Sequence, residues 1–268
     1  MLLALIRAVP RSIDRCELTH LERTPIDYAK AVREHDAYEE CLRRLGCRVQ
    51  RLPEAHEMPD SVFVEDTAVV FDEIAVIARP GAVSRRGEVE AAAHALRPHR
   101  QLAFIEPPAT LDGGDVLVTP GKVFVGITPR TNADGARQLA AHLAPFGFDT
   151  IPILVTGCLH LKSAVTLAKV GVAPGSDLPP EGGSCLLINP SFVDPASFDA
   201  FDLIEIDPSE AMAANVLLVG DRVVCAEEHP RTRQRLEAHG IVTVAVPAGE
   251  LARAEGGVTC CSLLVRNT

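Results

Sequence analysis

Apolar and polar residues along this chain fall into a unit that returns five times. Each unit joins an amphipathic helix to a following strand. Residues 37–46 set Tyr38, Cys41, Leu42 and Leu45 at helical spacing, and residues 47–53 then continue as a short strand. Apolar positions at i, i+3 and i+4 let a helix bury one face. Residues 88–96 lead into 101–105, residues 135–147 into 148–153, and residues 231–240 into 241–247. A shorter, weaker copy spans 197–206. Gly46, Gly147 and Gly240 stand where helix C-caps are expected, since glycine turns left-handed at no steric cost.

Apolar hairpins separate these units. One spans 62–77 and turns at 71–73, a second spans 116–127 and turns at 120–122, and a third spans 216–226 and turns at Gly220-Asp221. Residues 164–188 form another, with a long connection rich in Gly and Pro. The fifth hairpin would join 259–265 to 2–9, one chain end to the other. The period is about 50 residues, in the range of propellers and solenoids. An ordinary open α/β sheet accounts for each unit singly. A closed ring accounts for all five and leaves no exposed sheet edge at the join. The expected fold is therefore an α/β ring of five ββαβ-type units, with residues 1–268 as one domain. In such a ring the hairpin mouths converge. Glu65, Asp66, Asp112, His160, Asn215 and Cys260 would then share one central cavity despite their distance in sequence.

Composition narrows the function. The chain has 268 residues, 47% apolar and 23% charged, as soluble globular proteins do. No apolar run approaches the ~20 residues of a membrane span, and the N-terminal segment meets Arg7 too early for a signal peptide. A cytoplasmic protein is expected. The net charge of −10 and the lack of Trp argue against nucleic acid, which asks for a basic footprint and stacking rings. A small cationic substrate suits that charge. The eight cysteines lack both disulfide-framework spacing and any CxxC pair, so most read as buried, inert thiols, and no structural zinc site is expected. A homodimer is compatible with this reading.

Three segments carry candidate chemistry. Gly256-Gly257-Val258-Thr259-Cys260-Cys261 offers a thiol, the best neutral-pH nucleophile once deprotonated. If these residues are strand, Cys260 and Cys261 point to opposite faces and at most one meets the cavity; a buried strand cysteine remains the alternative. His160, beside Lys162 and Ser163, offers an imidazole. Asp112 could orient it, and the diglycine after it permits close backbone approach. Asp60, Glu65 and Asp66 are carboxylates interleaved with Val62, Phe63 and Val64. A buried carboxylate needs a cation, and a cationic ligand serves. Arg85 and Arg130, both in loops, have the fork that suits a substrate carboxylate.

Taken in order, the segments PDSVFVED (59–66), RPGAVSRR (79–86), TLDGGDVL (110–117), FVGITPRTN (124–132), LHLKS (159–163), AAN (213–215) and TCCS (259–262) resemble the dimethylarginine dimethylaminohydrolase family of the guanidine-modifying, or pentein, superfamily. The resemblance covers essentially the whole chain and implies a five-bladed α/β propeller. It implies Cys260 as nucleophile, His160 as general acid and base, and Asp112 as its orienter. It implies Asp66 as the grip on the guanidinium, with Glu65 in support. Arg85 and Arg130 would take the α-carboxylate. Asp60 and the carbonyls of Leu18 and Ala254 would take the α-ammonium, with residues 14–20 as a covering loop. The implied reaction converts methylated arginines to citrulline and an amine, without metal or cofactor. A compact arginine deiminase, or a hydrolase of another guanidine, shares this machinery. A non-catalytic pentein that only binds would not need the Cys–His–Asp set.

Overall fold

The computed structural model describes residues 1–171 and 183–266. In chain order the elements are β1 (Leu2–Ile6), α1 (Tyr28–Arg44), β2 (Arg48–Arg51), β3 (Ala68–Val70), β4 (Ile74–Ile77), α2 (Val89–Leu96), β5 (Gln101–Phe104), β6 (Val116–Thr119) and β7 (Lys122–Ile127). There follow α3 (Ala133–Leu143), β8 (Asp149–Leu154), α4 (Leu161–Ala164), β9 (Val165–Lys169), β10 (Cys185–Ile188), β11 (Asp202–Glu205), β12 (Leu217–Val219), β13 (Arg222–Ala226), α5 (Pro230–Ala238), β14 (Val242–Val246), α6 (Gly249–Ala252) and β15 (Leu263–Arg266).

The strands form five three-stranded sheets: β15-β1-β2, β3-β4-β5, β6-β7-β8, β9-β10-β11 and β12-β13-β14. In each, a middle strand pairs antiparallel with an inner strand and parallel with an outer one. A parallel pair needs a crossover, and helices supply it in four sheets. The first sheet joins the chain ends, with Leu2 opposite Arg266 and Leu5 opposite Leu263.

Closure follows from the middle strands. They are apolar on both faces, and successive residues point to opposite sides. In β1, Ala4 and Ile6 enter one core while Leu3 and Leu5 enter another. Ala75 and Ile77 of β4 share the core of Leu3, and Ile74 and Val76 share the next with Val123 and Val125 of β7. Phe124 meets Leu186 and Ile188 of β10; Cys185 and Leu187 meet Val223 and Cys225 of β13; and Val224 returns to the core of Ala4. Five cores, each shared by two neighbouring sheets, come back to their starting point. The five inner strands line one central channel of about 930 Å³.

Several local expectations shift. Helix α1 begins at Tyr28, ahead of the periodic stretch, because Asp27 caps it by accepting the Lys30 N–H. The fourth unit has no crossover helix; a 3-10 turn at Pro195–Phe198, capped by Asp194, takes its place. Residues 64–67 are a 3-10 turn, not strand, as the N–H groups of Phe63, Val64 and Asp66 bond locally. Cys260 and Cys261 likewise lie in a turn, and strand begins only at Leu263. The Gly- and Pro-rich connection after β9 falls largely outside the described residues. Gly46, Gly147 and Gly240 do take positive φ after their helices. Among the described residues no helix is long and apolar enough to cross a membrane.

Candidate active site

The site forms where irregular segments leave the inner strands at one end of the ring. The 3-10 turn at Val64–Thr67 precedes β3, that at Gly113–Asp115 precedes β6, and α4 precedes β9. Two close approaches lock these pieces together. A Cβ on Gly113 would stand 2.0 Å from the Glu65 carbonyl, and one on Gly114 would stand 2.6 Å from Asp66 Oδ1 and 2.9 Å from His160 Nδ1. Only glycines let the turn slide beneath both side chains.

His160 is buried, with Nε2 3.0 Å from Asp112 Oδ2 and Nδ1 3.9 Å from Asp66 Oδ1. Burial alone disfavours the imidazolium. The charges of Asp66 and Asp115, with the Asp112 bond, more than offset it and raise the pKa to about 9. Asp112 also accepts the Gly81 N–H through Oδ1, and its own N–H bonds the Thr131 hydroxyl. Asp66 accepts from Gly114 N at 2.9 Å and Arg85 Nη1 at 2.6 Å. Burial opposes its charge, but His160 and Arg85 hold the carboxyl down to about 2.

Cys260 Sγ lies 3.3 Å from the Gly257 N–H and 4.0 Å from Asn215 Nδ2. Burial, then the charges of Glu65 and Asp66, push its thiol up to about 12. The Cys261 thiol points away, toward the Gly257 carbonyl. The Glu65 N–H bonds the Cys260 carbonyl, which ties the Cys260 backbone to the carboxylate segment. Glu65 is itself held by Lys162 Nζ at 2.6 Å and the Thr259 hydroxyl at 2.7 Å. Asn215 clasps Thr259 from both sides, accepting its N–H and donating to its hydroxyl.

The two arginines differ. Arg85 is fully occupied inside the protein: Nη1 on Asp66, Nε and Nη2 on Glu88, and Nη2 also on the carbonyls of Asp60 and Phe63. To take a substrate carboxylate it must release one of these. Arg130 is buried with Nη1 lacking any hydrogen-bond partner, 4.0 Å from Asp112, while Nη2 reaches the Thr19 hydroxyl.

Asp60 is buried and accepts the Glu17 N–H, beside the Leu18 segment. Leu18 packs on the apolar core that holds Ala254 and Cys260. Glu255, at φ 56°, accepts the N–H groups of Thr19, His20 and Leu21 and so fastens the 18–21 segment beside Ala254.

Ligand-type atoms of Asp66, Asp112 and His160 lie within 4.8 Å of one another, as do those of His35, Asp36 and Glu39. Arg85 and His160 already neutralise the first group, and Arg51 the second. Sequence reasoning missed Glu88, Thr259 and Asp115 as parts of the network. Asp115 stood inside the DGGD run, three residues after Asp112, and that spacing was its one signal.

The ring of five such sheets around a polar centre is the pentein architecture, and this centre brings together a thiol, an imidazole and carboxylates. A sequence model of the eukaryotic N,N dimethylarginine dimethylhydrolases matches residues 16–165. The N(G),N(G)-dimethylarginine dimethylaminohydrolase of Streptomyces coelicolor is 37% identical over 268 residues, covering 98% of this chain and 96% of its own. That of Pseudomonas aeruginosa is 34% identical over 253 residues, 94% of each chain. The structure of a cysteine-to-serine mutant of the P. aeruginosa enzyme complexed with citrulline superposes with a TM-score of 0.88 at 33% identity, over 97% of this chain and 98% of its own. The chain belongs to the dimethylarginine dimethylaminohydrolase family. The N-terminal domain of a cyanobacterial arginine dihydrolase, at 18% identity and a TM-score of 0.83, shares the fold.

Proposed function

We infer that this protein hydrolyses Nω-methylated arginines, releasing citrulline and methylamine or dimethylamine through a covalent adduct on Cys260. One observation carries the reading: the Asp66 carboxylate faces His160 and its charge also acts on the Cys260 thiol, so a guanidinium held there lies between nucleophile and acid. The family membership and the citrulline-bound relative support it.

The chemistry follows from the charges. Without substrate the thiol is neutral at pH 7 and the imidazole is cationic. Burial is the first cause that holds the thiol up, and the negative charges of Glu65 and Asp66 add to it. A bound guanidinium neutralises them, so the thiol can lose its proton to solvent. The thiolate attacks the guanidinium carbon and forms a C–S bond. His160 gives its proton to the departing amine as the C–N bond breaks, leaving an S-alkylthiouronium. Water then attacks the same carbon while His160 takes its proton. The C–S bond breaks, and citrulline and the thiolate result. Asp112 holds the imidazole throughout.

Arg130 offers its open Nη1 to the α-carboxylate, and Asp60 with the Leu18 and Ala254 carbonyls receives the ammonium. Arg85 secures Asp66. Residues 1–268 act as one catalytic domain. Eight unpaired cysteines fit a reducing compartment such as the cytoplasm.

Citrulline release from asymmetric dimethylarginine, monomethylarginine and arginine, measured side by side, tests the reading. Faster turnover of the methylated substrates is expected. A preference for arginine makes this a compact deiminase, and silence on all three points to another guanidine.

A further inference from the structure

Asp115 lies at the base of the site, with no exposed surface. Three donors from two segments of the site end on its two oxygens. Oδ1 accepts the N–H of Leu161, the residue after His160, at 3.0 Å. Oδ2 accepts the Thr131 hydroxyl at 2.6 Å and the Thr128 hydroxyl at 2.8 Å. Each threonine passes the constraint on. The Thr131 oxygen accepts the Asp112 N–H at 3.0 Å. The Thr128 oxygen accepts the N–H groups of Arg130 and Thr131, both at 3.1 Å.

The fold makes room for this arrangement. A Cβ on Gly126 would stand 2.9 Å from Asp115 Oδ1, so the strand passing behind must be glycine there. Burial pushes the carboxyl up to about 6, with the His160 charge and the two hydroxyls pulling the other way. A carboxylate this deep is costly unless its oxygens are satisfied. Here they are satisfied by donors from the histidine segment and from the segment that holds Asp112 and Arg130.

We propose that Asp115 is the positioning residue of this enzyme, setting His160 and Asp112 relative to Arg130 through Leu161, Thr131 and Thr128. The proposal rests on the hydrolase reading above. It has two branches, which touch where the Thr131 N–H bonds the Thr128 hydroxyl. The Thr131 branch fixes the orienter of the imidazole and therefore acts on the chemical step. The Thr128 branch fixes the backbone of the carboxylate-binding arginine and therefore acts on substrate binding. A displaced catalytic group costs on the order of 10²-fold in rate even when nothing in the reacting layer has changed.

The test uses the full-length enzyme and three variants, with kcat and KM measured on asymmetric dimethylarginine per mole of folded protein. Thr131→Val is expected to lower kcat roughly tenfold or more with KM within about twofold. Thr128→Val is expected to raise KM roughly tenfold with kcat within about twofold. Asp115→Asn puts an N–H donor in place of one acceptor oxygen, so either the two threonine hydroxyls or the Leu161 N–H meets a donor, and the variant is expected to show both effects. The split matters because a merely structural role lowers the folded fraction and leaves both constants of the remaining enzyme alone. Wild-type kcat and KM in folded Thr131→Val and Thr128→Val overturn the proposal, as does the same change of both constants in each. If wild-type protein makes no citrulline, the hydrolase reading fails separately. The positioning role is then read from alkylation of Cys260 by chloroacetamidine, followed by peptide mass spectrometry. A slowing of about tenfold in Thr131→Val supports it and an unchanged rate overturns it.

Discussion

Arg85 Nη1 lies 2.6 Å from Asp66 Oδ2, with both side chains 4% exposed or less. The arginine is clamped from behind by Glu88, also buried. This run of alternating charge presents Asp66 to the site, with its second oxygen on the Gly114 N–H and facing His160. Removing one partner of a buried pair leaves the other uncompensated, at about 3–5 kcal/mol. Arg85→Ala is expected to lose that much in urea unfolding. Arg85→Lys keeps the charge but not the fork, so it should recover part of the stability and little of the activity. Equal urea midpoints for wild type and Arg85→Ala would show that the pair does not hold the site.

The raised pKa of His160 makes stability depend on pH in a stated direction. The folded value is about 9 against 6.5 for an ordinary histidine. A group raised on folding binds its proton more tightly when native. Its contribution is fully present below pH 6.5 and is lost as pH rises through 9. The size is on the order of 3 kcal/mol, shared with Asp66 as one pair and counted once. Unfolding free energy should therefore fall between pH 6.5 and 9 in wild type and stay flatter in His160→Gln. Parallel curves for the two proteins would assign the slope elsewhere.

Much of this was legible in the sequence, for reasons that differ by element. The middle strands are apolar on both faces, as Leu3–Ile6 and Ile74–Ile77 show, and glycine punctuated three of the helices. The ring could be read because such signals recur. The segments that carry chemistry were harder. Val62-Phe63-Val64 has a strand's composition, yet a 3-10 turn forms because its N–H groups find local partners and Asp66 bonds the Gly114 N–H. Cys260 and Cys261 looked like alternating strand residues, while a turn parts their thiols. Asp115 and Glu88 act through contacts that no spacing rule contains. Arg85 and Arg130 looked alike in sequence, and only packing shows which has an open donor.

The thiol itself should respond to the charge of its reagent. With its pKa near 12 in the empty site, Cys260 is almost wholly neutral at pH 7.5. Iodoacetamide, which is neutral, is expected to label it slowly, and faster as pH rises above 9. A cationic chloroacetamidine settles against Glu65 and Asp66, lowers the barrier to ionisation and should label Cys260 much faster. Cys260→Ser should fold, lose turnover and lose this labelling, whereas Cys261→Ser should keep both. Fast labelling of Cys260 by iodoacetamide at pH 7.5 would mean that the free thiol is already ionised and that substrate charge plays no part.

Arg130 provides the sharpest check on how the substrate lies. Its Nη1 is buried and unpartnered, 4.0 Å from Asp112, so the ligand-free protein carries the cost of an unsatisfied donor that a bound carboxylate removes. A charge-assisted bond is worth about 1.5–3 kcal/mol, or roughly 10- to 10²-fold in binding. Arg130→Met should raise KM by that factor for asymmetric dimethylarginine and change kcat far less. A decarboxylated analogue, which has nothing to offer Arg130, should be turned over about equally by both proteins. An unchanged KM for the amino-acid substrate would free Arg130 of the carboxylate and return that role to Arg85, which would then have to let go of Glu88 or Asp66 to perform it.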